Sequence, residues 1–240
     1  MIGAPQALLL DADGTLFPSE EPAFDASAVV VNEFAREIGF PGSFTGDGLR
    51  RAATGRNFRS ISRELFERTS GAETAPDFDA WIEREREVVT QHLAKILEPD
   101  PEVQSALDEL GAGMHLAVVS SSARARIDAT LEATDLARRI DPSLRFSAED
   151  SLPEPRSKPD PAVYENALSV MSLVPSAAVA LEDSVPGVLS AAASGIDVIG
   201  IVAFVAEQER PDRVRELRAA GATEVVERWS DLPAVIAGRS

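Results

Sequence analysis

Ala7-Leu8-Leu9-Leu10-Asp11-Ala12-Asp13-Gly14-Thr15-Leu16-Phe17 is the stretch whose reading decides the fold. Its four leading apolar residues are too few for a helix and read as a fully buried strand of a parallel sheet. Two carboxylates follow at i and i+2, and Gly14-Thr15 then breaks the strand. In an open parallel sheet, ligands bind just beyond the carboxyl ends of the strands, where Asp11 and Asp13 fall. Two like charges this close repel one another. A hard cation such as Mg2+ relieves that repulsion, because it takes oxygen ligands. The plainer alternative is a capped turn, since Asp, Gly and Thr are common loop formers.

The same texture returns after residue 99. Apolar runs at 116–119, 178–181 and 198–201 read as further strands, and short strands are expected at 145–147 and 224–226. Helical patterns lie between them at 101–110, up to about 133, and at 160–171, 186–194, 210–219 and 231–237. This alternation predicts an α/β fold, a Rossmann-like doubly wound parallel sheet. Residues 18–96 read differently. They show no strand-like run, and helices are expected at 24–38, 47–53, 58–68 and from an Asp77 cap to about 97. The expected organisation is a core of residues 1–17 and 97–240 with an inserted helical domain at 18–96.

Composition excludes some partners. The chain has 240 residues and a formal net charge of −17, which argues against nucleic acid and anionic membrane surfaces as partners. A phosphate substrate stays open, because a metal and a few cations set the field inside a small site. There is no Cys, hence no disulfide framework and no thiol chemistry. No run of about 20 apolar residues is present to span a bilayer. The N-terminus lacks a basic and apolar leader, so the expected location is the cytoplasm, and the expected state a monomer or weak dimer.

Three strand ends carry polar residues that a parallel sheet would bring to one edge: Asp11 and Asp13, then Ser120-Ser121-Ser122, then Glu182-Asp183-Ser184. Lys158 lies in the Pro-rich loop 152–159. Each has a plain reading. Ser120 suits a helix N-cap, Glu182-Asp183-Ser184 could cap the helix opening at Pro186, and Lys158 could be a solvated cation. Together they supply the parts of phosphoryl transfer: a carboxylate nucleophile, an acid/base, a metal site, a hydroxyl donor and a cation.

In this order and spacing the residues resemble the four motifs of the haloacid dehalogenase superfamily of hydrolases. Asp11-Ala12-Asp13-Gly14-Thr15 is similar to the first motif and 116–120 to the second. Ser157-Lys158-Pro159-Asp160-Pro161 is similar to the third, and Leu181-Glu182-Asp183-Ser184-Val185-Pro186-Gly187 to the fourth. A helical insert directly after the first motif resembles the cap of the subgroup with phosphoglycolate phosphatase, sugar-phosphate phosphatases and beta-phosphoglucomutase.

The resemblance implies roles. Asp11 is the nucleophile and Asp13 the general acid/base. Ser120, Lys158 and main-chain N–H groups after Asp11 bind the phosphoryl group, with Ser121 a second candidate for the Ser120 role. Mg2+ is held by Asp11, the Asp13 carbonyl and Asp183, with Glu182 acting through water. The expected activity is a Mg2+-dependent phosphatase acting on a small phosphorylated metabolite, a sugar or polyol phosphate, by way of an aspartyl-phosphate. A beta-phosphoglucomutase-like mutase and a non-catalytic metabolite-binding protein are the other readings. In this subgroup the insert closes over the core, so Glu20, Arg56 and Asn57 are expected to contact the substrate; Arg56 also reads as a solvated surface cation. Pro18 stands where close relatives often carry an Asp, which fixes the backbone at the entry to the insert.

Overall fold

The computed structural model describes residues 4–52, 58–69 and 75–239. The chain divides into two compact units, one of Met1–Pro18 with Leu97–Ser240 and one of Ser19–Ile96.

The second unit is helical. It holds α1 (Glu20–Glu37), α2 (Gly46–Ala52), α3 (Phe58–Glu67) and α4 (Phe78–Ile96). Val30, Val31 and Phe34 form the buried stripe of α1 that the helical spacing predicts. Phe34 is its aromatic centre, meeting Phe58 at 6.3 Å and Trp81 at 5.6 Å between ring centroids, both edge-on. Such pairs add about 0.5–1.5 kcal/mol beyond the area they bury. Asp77 caps α4, with Oδ1 accepting from Ala80 N at 3.1 Å. Asn32 fastens the following loop by exchanging two 2.8 Å hydrogen bonds with the Phe44 backbone. α1 begins at Glu20, four residues earlier than the apolar pattern suggests. Glu20 and Glu21 favour the positive end of the helix dipole, and Pro22 falls in the first turn, where its missing N–H has no intrahelical partner to lose.

The first unit is a six-stranded parallel sheet of β1 (Ala7–Leu10), β2 (His115–Ser120), β3 (Arg145–Ser147), β4 (Ala178–Glu182), β5 (Asp197–Ile201) and β6 (Glu224–Val226). The spatial order is β3-β2-β1-β4-β5-β6. From β1 the chain works outward to β3, then returns past β1 to β4 and builds the other half. The order reverses beside β1, so the crevice for a ligand opens at its carboxyl end. Leu10 pairs with Val118 on one side and Leu181 on the other, which brings Asp11 level with the ends of β2 and β4. β1 takes the centre because none of its four residues tolerates water; all are fully buried. Ala7 and Leu9 join Val119, Phe146, Val163, Val188 and Leu217 in one core cluster. Leu8 and Leu10 point to the opposite face.

The helices of this unit are α5 (Pro101–Gly111), α6 (Arg124–Ala133), α7 (Ala162–Met171), α8 (Val185–Ala193), α9 (Arg210–Ala220) and α10 (Leu232–Ala237). Asp100 caps α5 by accepting from Glu102 N at 2.8 Å, and Ser184 caps α8 by accepting from Gly187 N at 3.1 Å. The capping role of Ser120 is corrected: α6 starts at Arg124 with Ala123 at its N-cap, and the Asp150 carboxylate accepts from Arg124 N at 2.6 Å. Among the described residues no helix is long and apolar enough to cross a membrane.

Candidate active site

Lys158 ties the strand ends together. Its Nζ donates to Asp11 Oδ1 at 2.6 Å, to Glu182 Oε1 at 2.6 Å and to the Val119 carbonyl at 2.7 Å. These use all three donors of the ammonium. The side chain is 4% exposed, so it is no solvated loop cation. Tyr164, in the first turn of α7, donates from Oη to the same Glu182 oxygen at 2.5 Å, and Lys158 Nζ stands 5.1 Å from its ring centroid.

Two glycines make room for the acids. Gly14 has φ +83°, and a Cβ there would land in the Asp183 carboxylate. A Cβ on Gly187, in the first turn of α8, would land in that of Glu182. Asp183 is held by Thr15 Oγ1, which donates to its Oδ1 at 3.2 Å, and by Arg213 Nη1, which donates to its main-chain carbonyl at 2.9 Å. Thr15 is braced in turn by Trp229 Nε1, which donates to its carbonyl at 3.1 Å.

Charge in the buried cluster does not balance. Burial pushes the Asp11 carboxyl up, and the neighbouring ammonium of Lys158 only partly offsets that. Burial likewise lifts Glu182, to about 7, against the pull of Lys158. Lys158 is held cationic: burial alone would lower it, but Asp11 and Glu182 together raise it. Burial and the same carboxylates push the Tyr164 phenol well up, so it stays a donor.

Asp11, Glu182 and Asp183 offer carboxylate oxygens within 4.8 Å of one another. Three acids against one ammonium leave an excess of negative charge in a dry place, which a bound divalent cation would neutralise. The donors are all hard oxygens, the set that suits Mg2+. The cluster therefore fits the cation, although Lys158 already engages one oxygen of Asp11 and one of Glu182.

Asp13 is less enclosed, its side chain 28% exposed. Ser122 Oγ donates to its Oδ2 at 2.6 Å and Arg126 Nη2 to its Oδ1 at 3.2 Å. Ser120 is buried at the end of β2, its Oγ accepting from Ser122 N at 3.1 Å. Ser121 Oγ accepts from Lys158 N at 3.2 Å and so fixes the lysine loop. Glu20 lies exposed in the first turn of α1. Arg56 and Asn57 fall outside the described residues.

Residues 8–201 match the haloacid dehalogenase-like hydrolase family, a span that contains every acid of the site and Lys158. The chain belongs to this family. It is 31% identical over 199 residues to Protein CbbY of Rhodobacter capsulatus, covering 81% of this chain and 84% of that protein. It is 26% identical to the Phosphorylated carbohydrates phosphatase of Thermotoga maritima, covering 82% and 85%. A crystal structure of a CbbY variant from Rhodobacter sphaeroides with xylulose-(1,5)bisphosphate shares its fold, with a TM-score of 0.73, 23% identity and coverage of 95% and 96%. As a member of the haloacid dehalogenase-like family the chain is a hydrolase, and one of these relatives is named a phosphatase.

The four-motif reading of this family member did not single out Ser122, Arg126, Tyr164, Thr15 or Arg213. Ser122 had a signal, as the last of three serines at a strand end. Tyr164 had a weaker one, as the sole tyrosine of the chain, six residues after Lys158. Arg126 and Arg213 sit on polar helical stretches, where nothing in the local pattern marks them.

Proposed function

We propose that the protein is a Mg2+-dependent phosphatase of a sugar or polyol phosphate, working through an aspartyl-phosphate on Asp11. The observation that carries this reading is the buried Lys158 bridge, which holds Asp11 against Glu182 with Asp13 two residues along and Asp183 beside them.

The carboxylate of Asp11 attacks phosphorus, and the bond from phosphorus to the ester oxygen breaks. The electron pair leaves with that oxygen, which takes a proton from Asp13. A water then attacks phosphorus and gives its proton to Asp13, Asp11 departs from phosphorus, and inorganic phosphate is released. Lys158 and Ser120 face the charge that builds on the phosphoryl oxygens. Asp11, Asp183 and the Asp13 carbonyl would hold Mg2+, with Glu182 acting through water; the cation supplies charge neutralisation for the two anions that must meet. The sugar phosphate class draws support from the relatives, one named for phosphorylated carbohydrates and another bound to a pentulose bisphosphate. The helical unit, with Glu20 at its first turn, is assigned the selection of the leaving group.

The test is phosphate release from a panel of phosphorylated metabolites, with Mg2+ and with excess EDTA. The expected result is release from sugar or polyol phosphates that EDTA abolishes. Full activity in EDTA would contradict the metal site. Isomerisation of glucose 1-phosphate with little free phosphate would favour the mutase.

A further inference from the structure

Asp13 is gripped at both carboxylate oxygens, by Ser122 on Oδ2 from the segment joining β2 to α6 and by Arg126 on Oδ1 from the first turn of α6. We propose that Ser122 and Arg126 are positioning residues for Asp13: Ser122 anchors Oδ2 and Arg126 anchors Oδ1, so that together they orient the carboxyl group that exchanges the proton. The inference rests on Asp13 being the general acid/base of the proposed reaction.

Ser122 is itself fixed at three points. Its N–H donates to Ser120 Oγ at 3.1 Å, its carbonyl accepts from Ser147 Oγ at 2.8 Å, and its hydroxyl meets Asp13. Ser147 is tied to Asp150 at 3.2 Å, and Asp150 also holds the first N–H of α6. The hydroxyl therefore stands on a braced platform rather than a free loop, as a group that must orient a reacting carboxylate requires.

Arg126 comes from the first turn of α6. Its Nε is buried with no hydrogen-bond partner. An arginine placed only to hold the fold would have that donor satisfied, since an unpaired buried donor is destabilising. Its Nη2 instead reaches into the site.

Two contacts on two different oxygens fix both the position and the plane of the Asp13 carboxylate, which one contact alone would leave free to rotate. With the carboxylate so held, the proton it gives to the ester oxygen, as that oxygen takes the electron pair of its bond to phosphorus, travels along one defined direction.

The experiment compares kcat/KM for phenyl phosphate and p-nitrophenyl phosphate, which differ little in shape. Phenolate needs a proton to depart far more than nitrophenolate does. Asp13→Ala should lower the ratio of phenyl to nitrophenyl rates by about 100-fold, and Ser122→Ala and Arg126→Ala by about 10-fold each, within the range of general acid catalysis. Ser122→Thr, which keeps a hydroxyl, should restore most of the ratio lost in Ser122→Ala. If Asp13→Ala lowers the ratio while the other two leave it as in the wild type, the positioning role is wrong and the acid assignment stands. Equal loss on both substrates in those two variants would also overturn the inference, since that is what a purely structural role produces. If Asp13→Ala itself leaves the ratio unchanged, the acid/base assignment fails first.

Discussion

Lys158 makes the arrangement intelligible at the scale of one residue. A lysine in a Pro-rich loop reads from sequence as a surface group, and only the family motif marks it out. What sequence cannot show is that Asp11, Glu182 and the Val119 carbonyl close around it at once. Removing the cation leaves two buried acids unpaired, so Lys158→Met should destabilise the protein by about 3–5 kcal/mol. Adding Glu182→Gln to that variant should recover part of the loss, because the amide needs no counter-charge. Urea denaturation of the single and double variants measures both. A Lys158→Met protein as stable as the wild type would mean that the cluster is solvated. Tyr164 belongs to the same cluster and escaped notice, because its partner Glu182 is eighteen residues away and meets it only through the fold.

Elements were the most legible level. The four longer strands β1, β2, β4 and β5 were visible as apolar runs, because a strand buried on both faces cannot disguise its composition; β3, Arg145-Phe146-Ser147, and β6, Glu224-Val225-Val226, carry a much weaker signal. Helix bodies followed from spacing, with ends displaced where a cap or a dipole decides them, as at Glu20 in α1 and Ala123 before α6. The turn after β1 shows how an element carries the site. Gly14 must hold φ +83° and leave its Cβ position to the Asp183 carboxylate. Gly14→Ala should therefore act twice, straining the turn by about 1–3 kcal/mol and displacing Asp183. Its Mg2+ requirement should move to higher concentration as in Asp183→Ala, which metal titration of activity would reveal. A Gly14→Ala enzyme with wild-type Mg2+ dependence would separate Asp183 from the metal.

At the scale of the whole molecule the division of labour follows from what the core can recognise. On the proposed reading, a site built from a nucleophile, an acid, a lysine and a metal position would accept any phosphate monoester, so selection would come from elsewhere. The insert after the first motif is the reading for that role. Glu20→Ala should lower kcat/KM for the best sugar phosphate by about 10-fold, the scale of a lost charge-assisted hydrogen bond, and change p-nitrophenyl phosphate far less. Equal losses on both substrates would assign Glu20 to the fold of α1 instead.

The most direct measurement of the central claim is phosphate release by Asp11→Asn beside the wild type, under saturating Mg2+ and on the best substrate of the panel. An amide is no nucleophile, so the variant should fold as the wild type does and lose turnover by at least about 1000-fold. Turnover close to that of the wild type would contradict an aspartyl-phosphate on Asp11, and with it the proposed mechanism.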